Sequence, residues 1–257
     1  MRITRSAICL LCLTCLLLCG SVPVQAAPPS SEEPSAELRP RTERLLTREE
    51  RDALTPAAVL QSLKEGNRRF AAGTLTQRNH SKMVRDASLG QHPKAIVLSC
   101  VDSRVPVEDV FDRGIGDIFV ARVAGNFTNT DILGSMEFAC RISGSKLIVV
   151  LGHEHCGAIR SAIDGANNPS SIADLGNITP MLKNLRPAVD AAQSYPGEKT
   201  GSNPKFVQQV AKENVRQTIA KIRQQSPILS EMEAQGAIKI VGGIYAMETG
   251  VVELLGE

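Results

Sequence analysis

AIVLSCVDSR (residues 95–104) and KLIVVLGHEHCG (residues 146–157) decide the fold, because each is a short apolar run that ends in a cluster of reactive side chains. Ala95 to Ser99 and Lys146 to Leu151 are too short for ordinary helices and rich in β-branched residues, so both read as strands covered on two faces. Between them, Pro106 to Asp112 reads as a short helix with acids in its first turn, and Asp117 to Val123 as a further strand. Asn129 to Ile142 is a helical stretch with Ile132, Met136, Ala139 and Cys140 on one face. The resulting βαβαβ pattern implies an α/β fold, a central and mostly parallel sheet flanked by helices.

Outward from this centre the signals are clear at both ends. Thr55-Pro56 is a helix start with proline at the first helical position; Val59, Leu60, Leu63 and Phe70 follow at helical spacing, and Gly73 closes it. Downstream, Ile178 to Gln193 and Phe206 to Gln224 read as two longer helices, separated by Ser194-Tyr195-Pro196-Gly197. Lys205 to Arg223 carries scattered charge and reads as an amphipathic helix with a solvated face. Ala237 to Ala246 and Val251 to Leu255 read as a terminal strand pair around Thr249-Gly250. Residues 55–257 are therefore expected to form one domain.

The first 26 residues carry Arg2 and Arg5 ahead of an apolar run from Ala7 to Leu18 and end in Val24-Gln25-Ala26, the pattern of a cleaved signal peptide. The run is shorter than a membrane span and closes with Gly20, Pro23 and Gln25. The expectation is export to the periplasm or medium, with no membrane attachment once residues 1–26 are removed; lipid anchoring through Cys19 is the lesser reading, since Leu18 before it is not small. Residues 27–54 form a leader, disordered or loosely helical: from Pro28 to Pro40 it has almost no large apolar side chain, and from Thr42 to Asp52 charge dominates, so any helix there would be solvated.

The chain of 257 residues has 29 basic and 27 acidic side chains and seven cysteines. Four cysteines, two arginines and no acid fall in residues 1–26, so the remainder is electrically balanced and keeps three cysteines. Balance gives no reason to expect nucleic acid or an anionic membrane as partner. Three cysteines cannot staple a chain this long, so the fold rests on an apolar core.

In open α/β sheets ligands gather beyond the carboxyl ends of strands. The runs ending at Ser99 and Gly152 lead there into Cys100-Val101-Asp102-Ser103-Arg104 and His153-Glu154-His155-Cys156-Gly157. Singly, a buried cysteine is usually core and a lone histidine usually structural. Together, Cys100, Cys156 and one imidazole make a ligand set suited to Zn²⁺ with a fourth position open for chemistry. His153-x-x-Cys156 spans one turn and can bring both side chains to one ion, whereas His155 and Cys156 diverge, so His153 is the expected ligand. Cys140, on a helix face, reads as an inert core thiol, and His80 and His92 as solvent-facing.

Cys100-x-Asp102-x-Arg104 with His153-x-x-Cys156 resembles the β-class carbonic anhydrases. The similarity takes in Glu65-Gly66-Asn67-x-x-Phe70, Gly90-Gln91-x-Pro93, Ser103-Arg104-Val105-Pro106, Gly116-Asp117-x-Phe119-Val120, Ala124-Gly125-Asn126 and Gly243-x-Tyr245, covering residues 55–257. The resemblance implies zinc on Cys100, His153 and Cys156, reversible hydration of CO₂ to bicarbonate and a proton by zinc-bound hydroxide, and a homodimer or homotetramer. Two thiolates neutralise Zn²⁺ and leave its water less acidic than three imidazoles would. A nearby acceptor is then needed; Asp102 is expected to fill that role, held ionised and oriented by Arg104. In the family this aspartate can also swing onto zinc as a fourth ligand and close the site. Gln91 matches an amide donor near the substrate oxygens, Phe119 an apolar wall for CO₂, and Gly157 a backbone N–H facing the site.

The sequence departs from the family at Val123, where many relatives have asparagine. It also has no tryptophan, which removes one family mode of inhibitory bicarbonate binding. The same ligands would serve a COS or CS₂ hydrolase, and a non-catalytic zinc-binding protein would keep Asp102 permanently on the metal.

Overall fold

Each apolar run becomes a strand of one five-stranded sheet in the computed structural model, which describes residues 44–256. The expected signal peptide (1–26) and residues 27–43 of the expected leader lie outside the described residues. The strands β1 (Ala95–Ser99), β2 (Ile118–Arg122), β3 (Leu147–His153), β4 (Lys239–Tyr245) and β5 (Val252–Leu255) lie in the order β2-β1-β3-β4-β5. β1 runs parallel to β2 and to β3 from the registers Ala95↔Ile118 and Ala95↔Leu147, and β3 parallel to β4 from Leu147↔Lys239. β5 returns antiparallel to β4 through a turn in which Gly250 takes φ +72°.

Ten helices accompany the sheet: α1 (Arg48–Asp52), α2 (Pro56–Ala71), α3 (His80–Ala87), α4 (Val107–Val110), α5 (Thr130–Glu137), α6 (Gly157–Asn167), α7 (Ile178–Lys183), α8 (Arg186–Ala191), α9 (Pro204–Gln225) and α10 (Pro227–Ala234), counted among the described residues. β1 and β3 are buried along their whole length, which is why they lack the alternation of a half-exposed strand. On one face Ile96, Leu98, Ile148 and Val150 share a core with Ile159 and Ile163 of α6 and Val210 and Val215 of α9. On the other, Val97, Val149 and Leu151 pack with Val59, Leu60 and Leu63 of α2 and Val107 and Val110 of α4. α9 lies close on the sheet because Gly152 and Gly242 leave room for Val215: a Cβ on either would come within 2.8 Å of its methyls.

The structure corrects several expectations. Ile178 to Gln193 is not one helix: the chain tightens to i→i−3 bonds at Asn184 and Leu185, and Pro187 in the first turn of α8 has no N–H to continue the ladder of α7. Asn129 to Ile142 is α5 followed by a π-turn over Phe138–Ile142, in which Ser143 N–H reaches the Phe138 carbonyl. In the leader, α1 carries a complete capping box between Thr47 and Glu50. Its expected solvated face fails at Arg51, which is buried and donates to the Ser143 carbonyl over Gly144. The sequence reading did not set out α3, α7 and α8 as separate helices, or α10.

Glu65-Gly66-Asn67-x-x-Phe70 is explained by packing. A Cβ on Gly66 would collide with the Phe111 carbonyl, so α2 meets the segment after α4 at backbone distance. Buried Asn67 donates to the Val110 carbonyl at 3.1 Å and the Gly250 carbonyl at 2.8 Å, and accepts from the Val252 N–H at 2.8 Å. One amide thus ties α2, α4 and the terminal hairpin. Asn67→Leu leaves three backbone groups without this partner at once and should destabilise the fold by about 3 kcal/mol, since each buried unpaired group costs about 1–3 kcal/mol. Denaturant unfolding checks it, and a change below about 1 kcal/mol contradicts the assigned role.

Candidate metal centre

The strand order fixes where a site forms. From β1 the chain moves to one side to make β2 and then crosses to the other to make β3, so the carboxyl ends of β1 and β3 flank the crevice where helix-bearing connections diverge. Cys100 follows the last residue of β1, His153 is the last residue of β3, and Cys156 is the N-cap residue of α6. Their ligating atoms all lie within 4.8 Å of one another, and all three residues are buried. His155 takes a left-handed backbone, φ +53°, and stays exposed; the reversal it makes carries the chain back to Cys156.

His153 is prepared on one side and unpartnered on the other. Its Nδ1 lies 2.8 Å from the Glu154 carbonyl, an acceptor that places the proton on Nδ1. Nε2 is buried and has no hydrogen-bond partner. A buried basic nitrogen left without a donor is costly in a water-filled accounting but is what a cation between two sulfurs would satisfy, so the donor set fits a soft or borderline divalent ion. The neighbouring Cys156 thiol holds Cys100 well below the usual thiol range, aided against burial by the Gly125 N–H at 3.3 Å. Cys156 is pushed up by Cys100 and by burial and keeps its proton. Binding a divalent ion here expels this proton.

Asp102 stands beside the donors, its Oδ2 4.0 Å from His153 Nε2. Oδ1 accepts from Nε of Arg104 at 2.9 Å and from its backbone N–H at 3.0 Å, and Oδ2 accepts from Nη2 at 2.8 Å. Arg104 therefore holds the carboxyl down at about 2, against desolvation that would raise it. With both oxygens engaged by the guanidinium, Asp102 is paired away from the donor triangle in this arrangement. Gly157 opens α6, and a Cβ there would meet nothing within 4 Å, so the approach beside Cys156 is unobstructed.

Gln91 and Phe119 are not brought to these donors. Gln91 is exposed and precedes β1, at the amino end of the sheet beside Gly116, whereas Cys100 follows the carboxyl end. Phe119 pairs with Ile96 near the start of β1 and lines a cavity of about 660 Å³ against the edge strand β2, with Ile132, Ser135 and Phe138. Residues that do support the site went unassigned in the sequence. Arg122 donates to the carbonyls of Cys100 at 2.7 Å and Asp102 at 2.6 Å and so clamps the loop after β1. The Glu154 carboxylate accepts from Gln208 and from the Met247 N–H, fixing the peptide that orients His153. A basic residue ending β2 next to the loop of β1 was the available signal for Arg122; nothing local marks Gln208.

A mostly parallel α/β sheet with a Cys–His–Cys group at its switch point defines a protein with a site that could hold a metal ion. The carbonic anhydrase family profile matches residues 95–252. Carbonic anhydrase 2 of Mycobacterium tuberculosis is 35% identical over 196 residues, 76% of this chain and 90% of that protein. The carbonic anhydrase of Mycolicibacterium smegmatis is 36% identical over 204 residues, 77% of this chain and 93% of that one. Among solved structures, the β-carbonic anhydrase CcaA superposes with a TM-score of 0.60 at 27% identity, covering 77% of this chain and 95% of that one. The chain belongs to the carbonic anhydrase family, in its β class, and is a carbonate dehydratase.

The geometry separates two kinds of substitution. Cys156→Ser removes a donor and should lose most of the bound metal after zinc loading and dialysis, whereas Asp102→Asn should retain it and lose turnover. Metal content by elemental analysis, beside CO₂ hydration rate, checks both; equal metal loss in the two variants contradicts the assignment.

Proposed function

We propose that Cys100, His153 and Cys156 hold one zinc ion and that Asp102 and Arg104 work beside it in the reversible hydration of CO₂. The observation that carries this reading is the unpartnered Nε2 of buried His153 set within 4.8 Å of two cysteine sulfurs at the switch point. When bound, zinc supplies Lewis acidity that makes a water molecule nucleophilic at neutral pH. The rest falls to the protein. The Asp102 carboxylate accepts a hydrogen bond from the attacking water at the oxygen nearest His153 and so directs its lone pair. Arg104 keeps that carboxylate ionised and in one orientation. Arg122, holding the carbonyls of Cys100 and Asp102, keeps the sulfur and the carboxylate in fixed relation. The Asp102–Arg104 pairing favours the enzyme over a zinc-storage protein closed by Asp102.

Gln91 and Phe119 belong to a different part of the proposal. Since both stand away from their own donors, they act in this reading at the crevice of another copy, as amide donor and apolar wall, in a homodimer or homotetramer. Exposed Phe138, which lines the cavity with Phe119 of β2, supports an assembly through that edge. Sedimentation velocity showing only monomer at micromolar concentration overturns this part. The chain is read as exported after loss of residues 1–26, on its N-terminal pattern alone. Cys100, Cys140 and Cys156 are free thiols, and the close pair Cys100 and Cys156 is open to oxidation in such a compartment unless metal binds first. Mature chain in oxidising buffer should keep its free thiols with zinc and lose two without it; equal counts contradict the protection.

The sign of the pH dependence at Asp102 follows from its lowered pKa. The contribution of the pair to stability is present above the ordinary carboxylate value of 3.8 and is lost as pH falls through about 2. Asp102 is thus ionised across the neutral range and sets no limb of the rate profile there. Stopped-flow CO₂ hydration against pH, with zinc stoichiometry, tests the reading: one zinc per chain and a rate that rises with pH are expected, and no hydration by the zinc-loaded chain overturns it. Arg104→Ala should retain zinc and lower kcat/KM by about 100-fold through misplacement of the carboxylate.

A further inference from the structure

The sulfur of Cys100 accepts the Gly125 N–H, yet Gly125 lies in the irregular segment that follows β2 and has no strand partner to hold it. Its support comes from a helix on the sheet face. Asn214, 3% exposed in the middle of α9, donates its Nδ2–H to the Gly125 carbonyl at 2.8 Å. Thr218, one turn later and also buried, donates to the next carbonyl, that of Asn126, at 3.5 Å. From the other side Leu185 closes on Gly125, whose φ of +82° and lack of a Cβ let the chain pass. Gly125 is therefore held through the peptide that follows it by Asn214 and Thr218 of α9, with Leu185 beside it, and its own N–H is left free to meet the sulfur.

Asn214 is a poor choice for a position that needs only packing. Its neighbours on the buried face are Val210, Ala211, Val215 and Ile222, asparagine is a weak helix former, and burying an amide requires a partner. An aliphatic residue would serve the core better, so the amide is present for what it donates to. We infer that Asn214 is a positioning residue of the metal centre: through the Gly125 carbonyl it holds the Gly125 N–H on the Cys100 sulfur and so limits the charge this sulfur gives to the metal. The inference rests on the reading of Cys100 as a metal ligand. A hydrogen bond to a ligating thiolate withdraws electron density from it, and the ion keeps more of its positive charge. With two thiolates in the set, restraint at one of them preserves the Lewis acidity that the chemistry needs.

Cobalt-substituted full-length protein provides a readout that does not depend on turnover, since the sulfur-to-cobalt charge-transfer band reports the electron richness of the thiolates. Wild type, Asn214→Leu and Thr218→Val are compared for cobalt stoichiometry, for the position of this band and for exchange of the Gly125 amide proton. Asn214→Leu is expected to bind one cobalt per chain, to move the band to lower energy and to raise Gly125 exchange by about tenfold, the worth of one hydrogen bond. Thr218→Val, equally buried but bonded to the neighbouring carbonyl, is expected to leave the band in place. A band unmoved in Asn214→Leu, or moved equally in Thr218→Val, overturns the inference while leaving the metal centre intact. Failure of the wild type to bind cobalt overturns the metal reading and the inference with it. Should Asn214→Leu not fold, Asn214→Ser, whose shorter side chain withdraws the donor from Gly125, is held to the same outcomes.

Discussion

Two parallel strands that hydrogen-bond to each other must end side by side, and this constraint carries the whole centre. β1 and β3 are such a pair, and the residues that leave them, Cys100 and His153, emerge as neighbours although 53 positions apart in sequence. The connection from β1 turns away toward β2, while that from β3 enters α6, so the two connections diverge beyond the strand ends. Cys156 then enters from the start of α6 as its N-cap residue. The three donors owe their proximity to sheet pairing more than to attraction for one another.

Around this frame the protein has built a shell that specifies charge as much as position. The Glu154 carbonyl settles which nitrogen of His153 is free. Arg122 and Gly125 grip Cys100 by carbonyl and by sulfur. Arg104 keeps Asp102 ionised at the mouth of the site. Each contact is an ordinary hydrogen bond; their effect lies in convergence on groups whose protonation state must be one thing and not the other.

The apolar runs, their parallel arrangement and the reactive loops that follow them were legible in the sequence, because strands buried on both faces write themselves as continuous apolar stretches. The selection of His153 over His155 follows from spacing, and the structure places the two accordingly, one buried and one exposed. Gln91 and Phe119 entered only through family resemblance. That Gln91 precedes β1 already puts it at the far end of its own sheet, a deduction the sequence allowed. Gln208 and Asn214 were not legible, since each acts on a group far away in sequence and leaves no periodic trace, whereas Arg122 had only its place at the end of β2 to mark it. The break between α7 and α8 was missed because apolar spacing continues through it, although Pro187 marks the place.

The amide of Asn67 reaches the N–H of Val252 across 185 positions, joining a helix near the start of the domain to its last strand. Contacts of such separation slow folding, since the intervening chain must first be drawn together. A nascent chain that has not yet reached β5 has neither that strand nor the buried knot beneath it. The domain therefore gains this tie only once β5 has been made, and the helix near its start stays the looser for it until then.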